Sequence, residues 1–448
     1  MTETLRDLQA KLALAKTTSE AMTEAALAKA EADEGPRVFT RLYKERAIAS
    51  ARASDLLRKA GIVRSPIEGL PISIKDLFDV AGEVTLAGSV ARDGAASASR
   101  DATIVSRLIA AGAVIVGRTN MTEFAFSGLG LNPHYGTPLN PFDRETGRIP
   151  GGSSSGAAVS VTDGMAAGAI GTDTGGSVRI PAALCGISGF KPTARRVPQA
   201  GTLPLSTSLD SLGPLAPSVA CCATLDAILA GEPVDLPQAR PLRGLRLAVP
   251  QTLVLDGMED AVSSALTDAL MTLSAAGAEI VEIDVPEFGR LDRFSAKGTI
   301  VAAEAWHWHR DLLEREGARY DPRVKVRIER GRGMEAADYL DLLAARRAWI
   351  AEVEARFAPF DAVLMPTVPV IAPKLADLVA DDALYGETNL LILRNPSLIN
   401  LLDGCALSIP CQAAGEAPVG LTIAAHGGQD RKVLAIGQAA EAALAAAR

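Results

Sequence analysis

The chain has 448 residues, 48% hydrophobic and 22% charged, enough apolar side chain for a large buried core and too much for an intrinsically disordered chain. Lysine and arginine number 45 against 53 aspartates and glutamates, a net charge of 45 − 53 = −8. That balance argues against nucleic acid or an anionic membrane as the main partner and leaves room only for a local basic pocket.

Residues 1–60 read as helices rich in Ala, Leu, Lys and Glu. They break at Glu34-Gly35-Pro36 and close with Gly61 and Pro66. The opening stretch is charged, with no apolar run ending in a small-residue cleavage site, so no secretory signal is expected. No apolar stretch reaches 18 residues without Gly, Pro or charge, so no membrane span is expected either. The five cysteines, Cys185, Cys221, Cys222, Cys405 and Cys411, are odd in number in a large chain. They read as buried thiols in a reducing cytoplasm rather than a disulfide framework, and Cys221-Cys222 lacks the second Cys/His pair of a zinc site.

Residues 69–80, GLPISIKDLFDV, read as a strand entering a loop. Ile72 and Ile74 share one face and Ser73 and Lys75 the other, which puts Lys75 near the strand's end, where open α/β sheets form their sites. Residues 101–111 have the apolar spacing of a helix, Gly112 stops it, and 113–116 read as a buried strand. The pairing recurs: a helix over 262–276 before a strand at 279–283, and a helix at 353–357 before a strand at 362–365. Strands at 407–409 and 421–424 and a final helix over 432–447 complete the series. This alternation predicts an α/β fold, an α/β/α sandwich with a large mixed, mostly parallel central sheet covered by helices. Residues 237–243, PQARPLR, read as a linker, with one sheet running through both halves.

The centre is dense in Gly and Ser: GGSSSG at 151–156 and GTDTGGS at 171–177. Such segments are costly in backbone entropy and point to close backbone approach. Phosphate binding would need a Lys after the loop or a G-x-G-x-x-G pattern, and neither is present. Acyl transfer fits better. Amides from Thr174, Gly175, Gly176 and Ser177 would converge on an oxyanion, with Ser177 placed to attack the carbonyl held there. The four histidines, His134, His307, His309 and His426, make poor bases: His307 and His309 are two apart on a predicted helix and do not share a face. H-E-x-x-H is absent, so zinc hydrolysis has no support. A lysine serves instead if burial keeps it neutral, and Lys75 in its apolar strand is the candidate.

GLPISIKD, GGSSSG and GTDTGGSVRIPAALCG, in that order, strongly resemble the amidase signature family. The spacings 177 − 153 = 24 and 153 − 75 = 78 match its pattern, and the likeness extends over most of the chain. The resemblance implies Ser177 as acylated nucleophile, Ser153 as a bridging serine preceded by a cis peptide, and Lys75 as base. It implies Thr174, Gly175, Gly176 and Ser177 as the oxyanion loop, and Asp173, Arg179 and Thr172 as its structural support. Ser154 and Ser155 are expected to donate hydrogen bonds and cap the following helix. It also implies a single domain over 1–448: a helical region at 1–65, the catalytic core at 66–215, and the remaining sheet with the substrate-side segments at 240–448.

The activity implied is hydrolysis of a small-molecule carboxylic amide to carboxylate and ammonia or amine, with no metal or organic cofactor. Expected partners are the amide and at most a second copy of the chain, with neither nucleic acid nor membrane. A cytoplasmic location is expected. Phe126, Gly128 and Leu129, with Phe124 and Leu131, are candidates for one wall of the substrate pocket, although such a stripe also reads as core. Trp306, Trp308 and Tyr339 are candidates for an aromatic flank. Two rival readings stay open. One is an amidotransferase A-type subunit passing ammonia to a partner, from which RGRGMEAADYLDLLAARR departs. The other is a non-catalytic binding protein on the same fold.

Overall fold

The computed structural model describes residues 3–32, 34–294 and 297–447. Its strands are β1 (Phe39–Leu42), β2 (Pro71–Lys75), β3 (Val114–Thr119), β4 (Gly168–Asp173), β5 (Ser188–Lys191), β6 (Ser211–Ala216), β7 (Arg246–Pro250), β8 (Glu279–Ile283), β9 (Ala362–Pro366), β10 (Cys405–Pro410) and β11 (Gly420–Ala425). All lie in one sheet of order β1-β3-β2-β4-β6-β5-β10-β11-β9-β7-β8, so the linker at 237–243 does not interrupt it. The sheet separates two layers of core. In β3, Ile115 packs in one cluster while Val114 and Val116 pack in another. In β9, Leu364 faces one way and Val363 and Met365 the other. Alternate residues go to opposite faces, and both faces are covered by helices.

The sheet is mixed, but the expectation that it is mostly parallel does not hold. Four neighbouring pairs are parallel and six antiparallel. The reason is burial. β10 and β11 are buried along nearly their whole length and so carry the short apolar runs that otherwise mark parallel strands. The N-terminal region is helical as expected, at Leu5–Ala13, Ser19–Glu31 and Lys44–Lys59, except that Phe39–Leu42 pairs antiparallel with β3 as an edge strand.

Two parallel neighbours position the site. β2 and β4 run side by side in the register Ser73↔Ala169 and Ile74↔Ile170, so Lys75, Thr172 and Asp173 end on the same edge. The helix Ser155–Thr162 covers this part of the sheet. Its small residues allow close contact, since a Cβ at Gly156 would lie 2.3 Å from the Val38 carbonyl oxygen. A hydrogen bond between the Ser73 and Ser160 hydroxyls, 2.9 Å, pins the helix to β2. Ile72 and Ile74 pack in the opposite core, which leaves Ser73 and Lys75 on the helix side, as the strand pattern requires.

Candidate active site

Lys75 is fully buried. Its Nζ donates to Ser153 Oγ at 2.7 Å and to Thr172 Oγ1 at 2.9 Å, two neutral acceptors. Burial pulls its pKa down to about 7, against the opposing pull of the Asp210 and Asp173 charges. Lys191 is the other buried lysine pulled down by burial, to about 8. Its Nζ, however, donates to the carbonyls of Pro192 and Gly404 and reaches no hydroxyl. Ser153 follows a cis peptide bond from Gly152 and stands one residue before Ser154, the N-cap position of the helix Ser155–Thr162. Its neighbour Ser154 donates its amide to the Ser177 carbonyl at 3.3 Å, which ties the two serine segments together.

The segment from Thr174 to Ser177 is held by charge. Asp173 accepts hydrogen bonds from the amides of Gly176 (2.8 Å) and Val178 (3.2 Å), from Arg179 Nε and Nη2 (3.0 Å each), and from Asn400 Nδ2 (2.9 Å). Burial alone would raise its carboxyl pKa, but the Arg179 guanidinium holds it well below the usual carboxylate range. Arg179 also reaches the Pro396 carbonyl and Asn400 Oδ1. On the other side Thr174 Oγ1 donates to Asp210, a buried carboxylate that also accepts the amides of Leu205 and Ser206. Burial raises the Asp210 pKa to about 6. Gly176 has φ +122°, open to glycine and rarely to other residues, and a Cβ there would lie 2.5 Å from Pro396 Cβ.

Ser177, 3% exposed, borders a cavity of about 540 Å³ together with Thr174 and Gly175. Neither Lys75 nor Ser153 lines it. Of the three, Ser177 is the residue that borders the cavity. Among the described residues no histidine lines the cavity and no group of side chains is arranged to hold a metal ion.

A family model described as Amidase matches residues 21–434. The chain belongs to the amidase family. It is similar to the 2-amino-5-chloromuconic acid deaminase of Comamonas testosteroni, 37% identical over 84% of this chain and 82% of that one. It is also similar to a glutamyl-tRNA(Gln) amidotransferase subunit of Chloroflexus aurantiacus, 34% identical over 97% and 95%. A crystal structure of an amidase superimposes with a TM-score of 0.88 at 34% identity, covering 98% of this chain and 99% of the other.

Within this amidase the residues singled out from sequence separate clearly. Lys75, Ser153, Thr172, Asp173, Thr174 and Arg179 lie in one hydrogen-bonded neighbourhood beside the Gly175–Ser177 turn. Ser154 takes the N-cap position but does not cap. Its hydroxyl donates to the Thr172 carbonyl at 3.4 Å, and the Ser155 hydroxyl has no hydrogen-bond partner. Phe126 lines the cavity. Gly128 serves as a backbone anchor: its amide donates to Asn389 and its carbonyl accepts from Gly152. Leu129 and Leu131 are core, as is Phe124, whose ring meets His309 edge-on. Trp306, Trp308 and Tyr339 do not line the cavity. Trp306 and Trp308 pack against the core, and Tyr339 donates its hydroxyl to Glu304.

The reading from sequence did not single out Asp210, Asn400, Arg327 or Arg394. Asp210 sits in SLDSLG, ahead of β6, and nothing in its spacing ties it to Thr174. Among the described residues the five cysteines form no disulfide, and all are buried. No helix among the described residues is long and apolar enough to cross a membrane.

Proposed function

We propose that this amidase hydrolyses its amide through an acyl-enzyme on Ser177, with Lys75 as the base acting through Ser153. The observation that carries the reading is the buried Lys75 Nζ, 2.7 Å from Ser153 Oγ, with its pKa brought down to about 7. At neutral pH a useful fraction of the amine is then uncharged and can accept a proton. Lys75 takes the Ser153 proton while Ser153 takes the Ser177 proton, and Ser177 Oγ attacks the amide carbonyl carbon. The oxyanion is received by amides of the Thr174–Ser177 turn. The Gly176 amide already donates to Asp173, so Thr174, Gly175 and Ser177 supply the donors in this reading. Proton return through Ser153 releases ammonia or an amine, and water repeats the relay to free the carboxylate. The buried cysteines, none of them in a disulfide among the described residues, fit a reducing, cytoplasmic setting.

The likeness to the glutamyl-tRNA(Gln) amidotransferase subunit over 97% of the chain supports a second reading, in which the ammonia passes to a partner protein. One assay separates the two. The purified chain is offered a panel of aliphatic, aryl, carbamoyl and amino-acid amides, and ammonia release is measured. Turnover by the chain alone supports the hydrolase. Release only after a partner protein is added supports the second reading.

A further inference from the structure

The cavity carries a charge pattern that amide cleavage does not need. Arg327, Arg330 and Arg394 line it, and among the described residues no aspartate or glutamate does. This runs against the chain as a whole, in which acidic residues exceed basic ones, 53 to 45. The three come from two elements. Arg327 lies on the helix Pro322–Glu329 and Arg330 is its C-cap, three positions on and so on the same side. Arg394 lies on the helix Asp382–Leu401, where Leu390, Leu393, Arg394 and Ser397 form the stripe that faces the cavity.

Arg327 and Arg394 make their hydrogen bonds to neutral partners, with the Asp256 carboxylate acting on Arg394 only through its charge. Arg327 Nη1 donates to the Phe126 carbonyl at 2.9 Å, and its guanidinium stacks 5.0 Å from the Tyr385 ring centre. Arg394 donates to Asn395 Oδ1 and to the Val254 carbonyl. These partners are neutral, and they hold each guanidinium in place without using its charge. Arg323, one turn before Arg327 and outside the cavity, does pair with a carboxylate, Asp382, at 2.5 Å. Ser177 is buried while Arg330 is exposed and Arg327 and Arg394 are half-buried. The serine therefore marks the closed end of the cavity and the arginines lie toward its mouth, with Phe126, Leu205, Leu209 and Phe294 supplying apolar wall.

We infer that the amide this cavity accepts carries a second, anionic group on its acyl part, in the simplest case a carboxylate, which Arg327, Arg330 and Arg394 select. This rests on the acyl-transfer reading above. Guanidinium forks match a carboxylate with two parallel hydrogen bonds, and low-dielectric cleft walls strengthen the attraction relative to an open surface. With ammonia as the leaving group, little of the about 540 Å³ is taken up by it, and the acyl part fills the space between Ser177 and the mouth.

The test uses two fluorophosphonate probes of equal chain length, one ending in a carboxylate and one in a methyl group. The readout is the ratio of their rates of covalent labelling at Ser177. In the wild-type chain the carboxylate probe labels faster by about tenfold or more, equivalent to about 1.4 kcal/mol. The ratio falls toward one in Arg394→Gln and Arg327→Gln, falls less in Arg394→Lys, and also drops in Arg330→Gln, at an exposed position where folding is not at issue. Equal rates in the wild type, or a ratio unchanged in all the Gln variants, overturns the inference while leaving Ser177 as nucleophile. Failure of both probes to label overturns the acyl-transfer reading and this inference with it.

Discussion

At the scale of single residues, what distinguishes Lys75 is its surroundings. A lysine ordinarily stays charged to about pH 10. Here no solvent reaches the amine, and its hydrogen-bond partners are the hydroxyls of Ser153 and Thr172. In the proposed mechanism the neutral amine is the base, so with its pKa at about 7 kcat/KM rises with pH below that value, by about tenfold per unit, and levels off above it. A profile flat from about pH 5 to about pH 9 would contradict Lys75 as base. Asp210 modulates the same limb, since its negative charge favours protonated Lys75. Asp210→Asn therefore lowers the lysine pKa further and moves the acid limb to lower pH, whereas an unmoved or raised limb in the pH–rate profile would count against this coupling. Lys75, Ser153 and Ser177 could be proposed from the sequence because their motifs, in order and spacing, resemble the amidase signature family. Asp210 could not, because its partnership with Thr174 depends on how β6 is threaded beside β4.

At the scale of elements, the turn from Asp173 to Arg179 is fixed by one buried ion pair and one glycine. Arg179→Ala would leave the Asp173 carboxylate buried without its cation, a loss of about 3–5 kcal/mol for such a broken pair, seen as a lowered Tm or denaturation midpoint. The same variant would label more slowly at Ser177, because Asp173 also holds the Gly176 amide. Gly176→Ala forces a Cβ against Pro396 at φ +122°. Backbone strain of this kind costs about 1–3 kcal/mol before the clash is counted, so a thermal melt should show destabilisation and the labelling rate should fall. Helices such as Asp260–Ala275 and Asp430–Ala447 were legible within two residues of their ends from apolar spacing and glycine stops. Strand direction was not. β10 and β11 read as buried apolar runs from either direction, and only the short return between them makes the pair antiparallel.

At the scale of the whole molecule, one sheet carries the lysine strand β2 and the loop strand β4 near one end. The helix Asp382–Leu401, which precedes β10 in the other half of the sheet, returns to close the site through Asn400 and the Pro396 carbonyl. That return explains why the substrate wall could not be read from residues near the motifs: Phe124, Leu129 and Leu131 went to the core, while Arg327 and Arg394 arrived from elements more than 100 positions away. The central claim is that Ser177, backed by Ser153 and Lys75, is the residue acylated. It is tested most directly by exposing the purified chain to a fluorophosphonate, measuring intact mass and mapping the modified peptide. The account predicts one adduct per chain, on Ser177, lost in Ser177→Ala and slowed below about pH 7 in the wild type as Lys75 protonates. An adduct on another residue, or Ser177→Ala releasing ammonia from an amide at the wild-type rate, would contradict it.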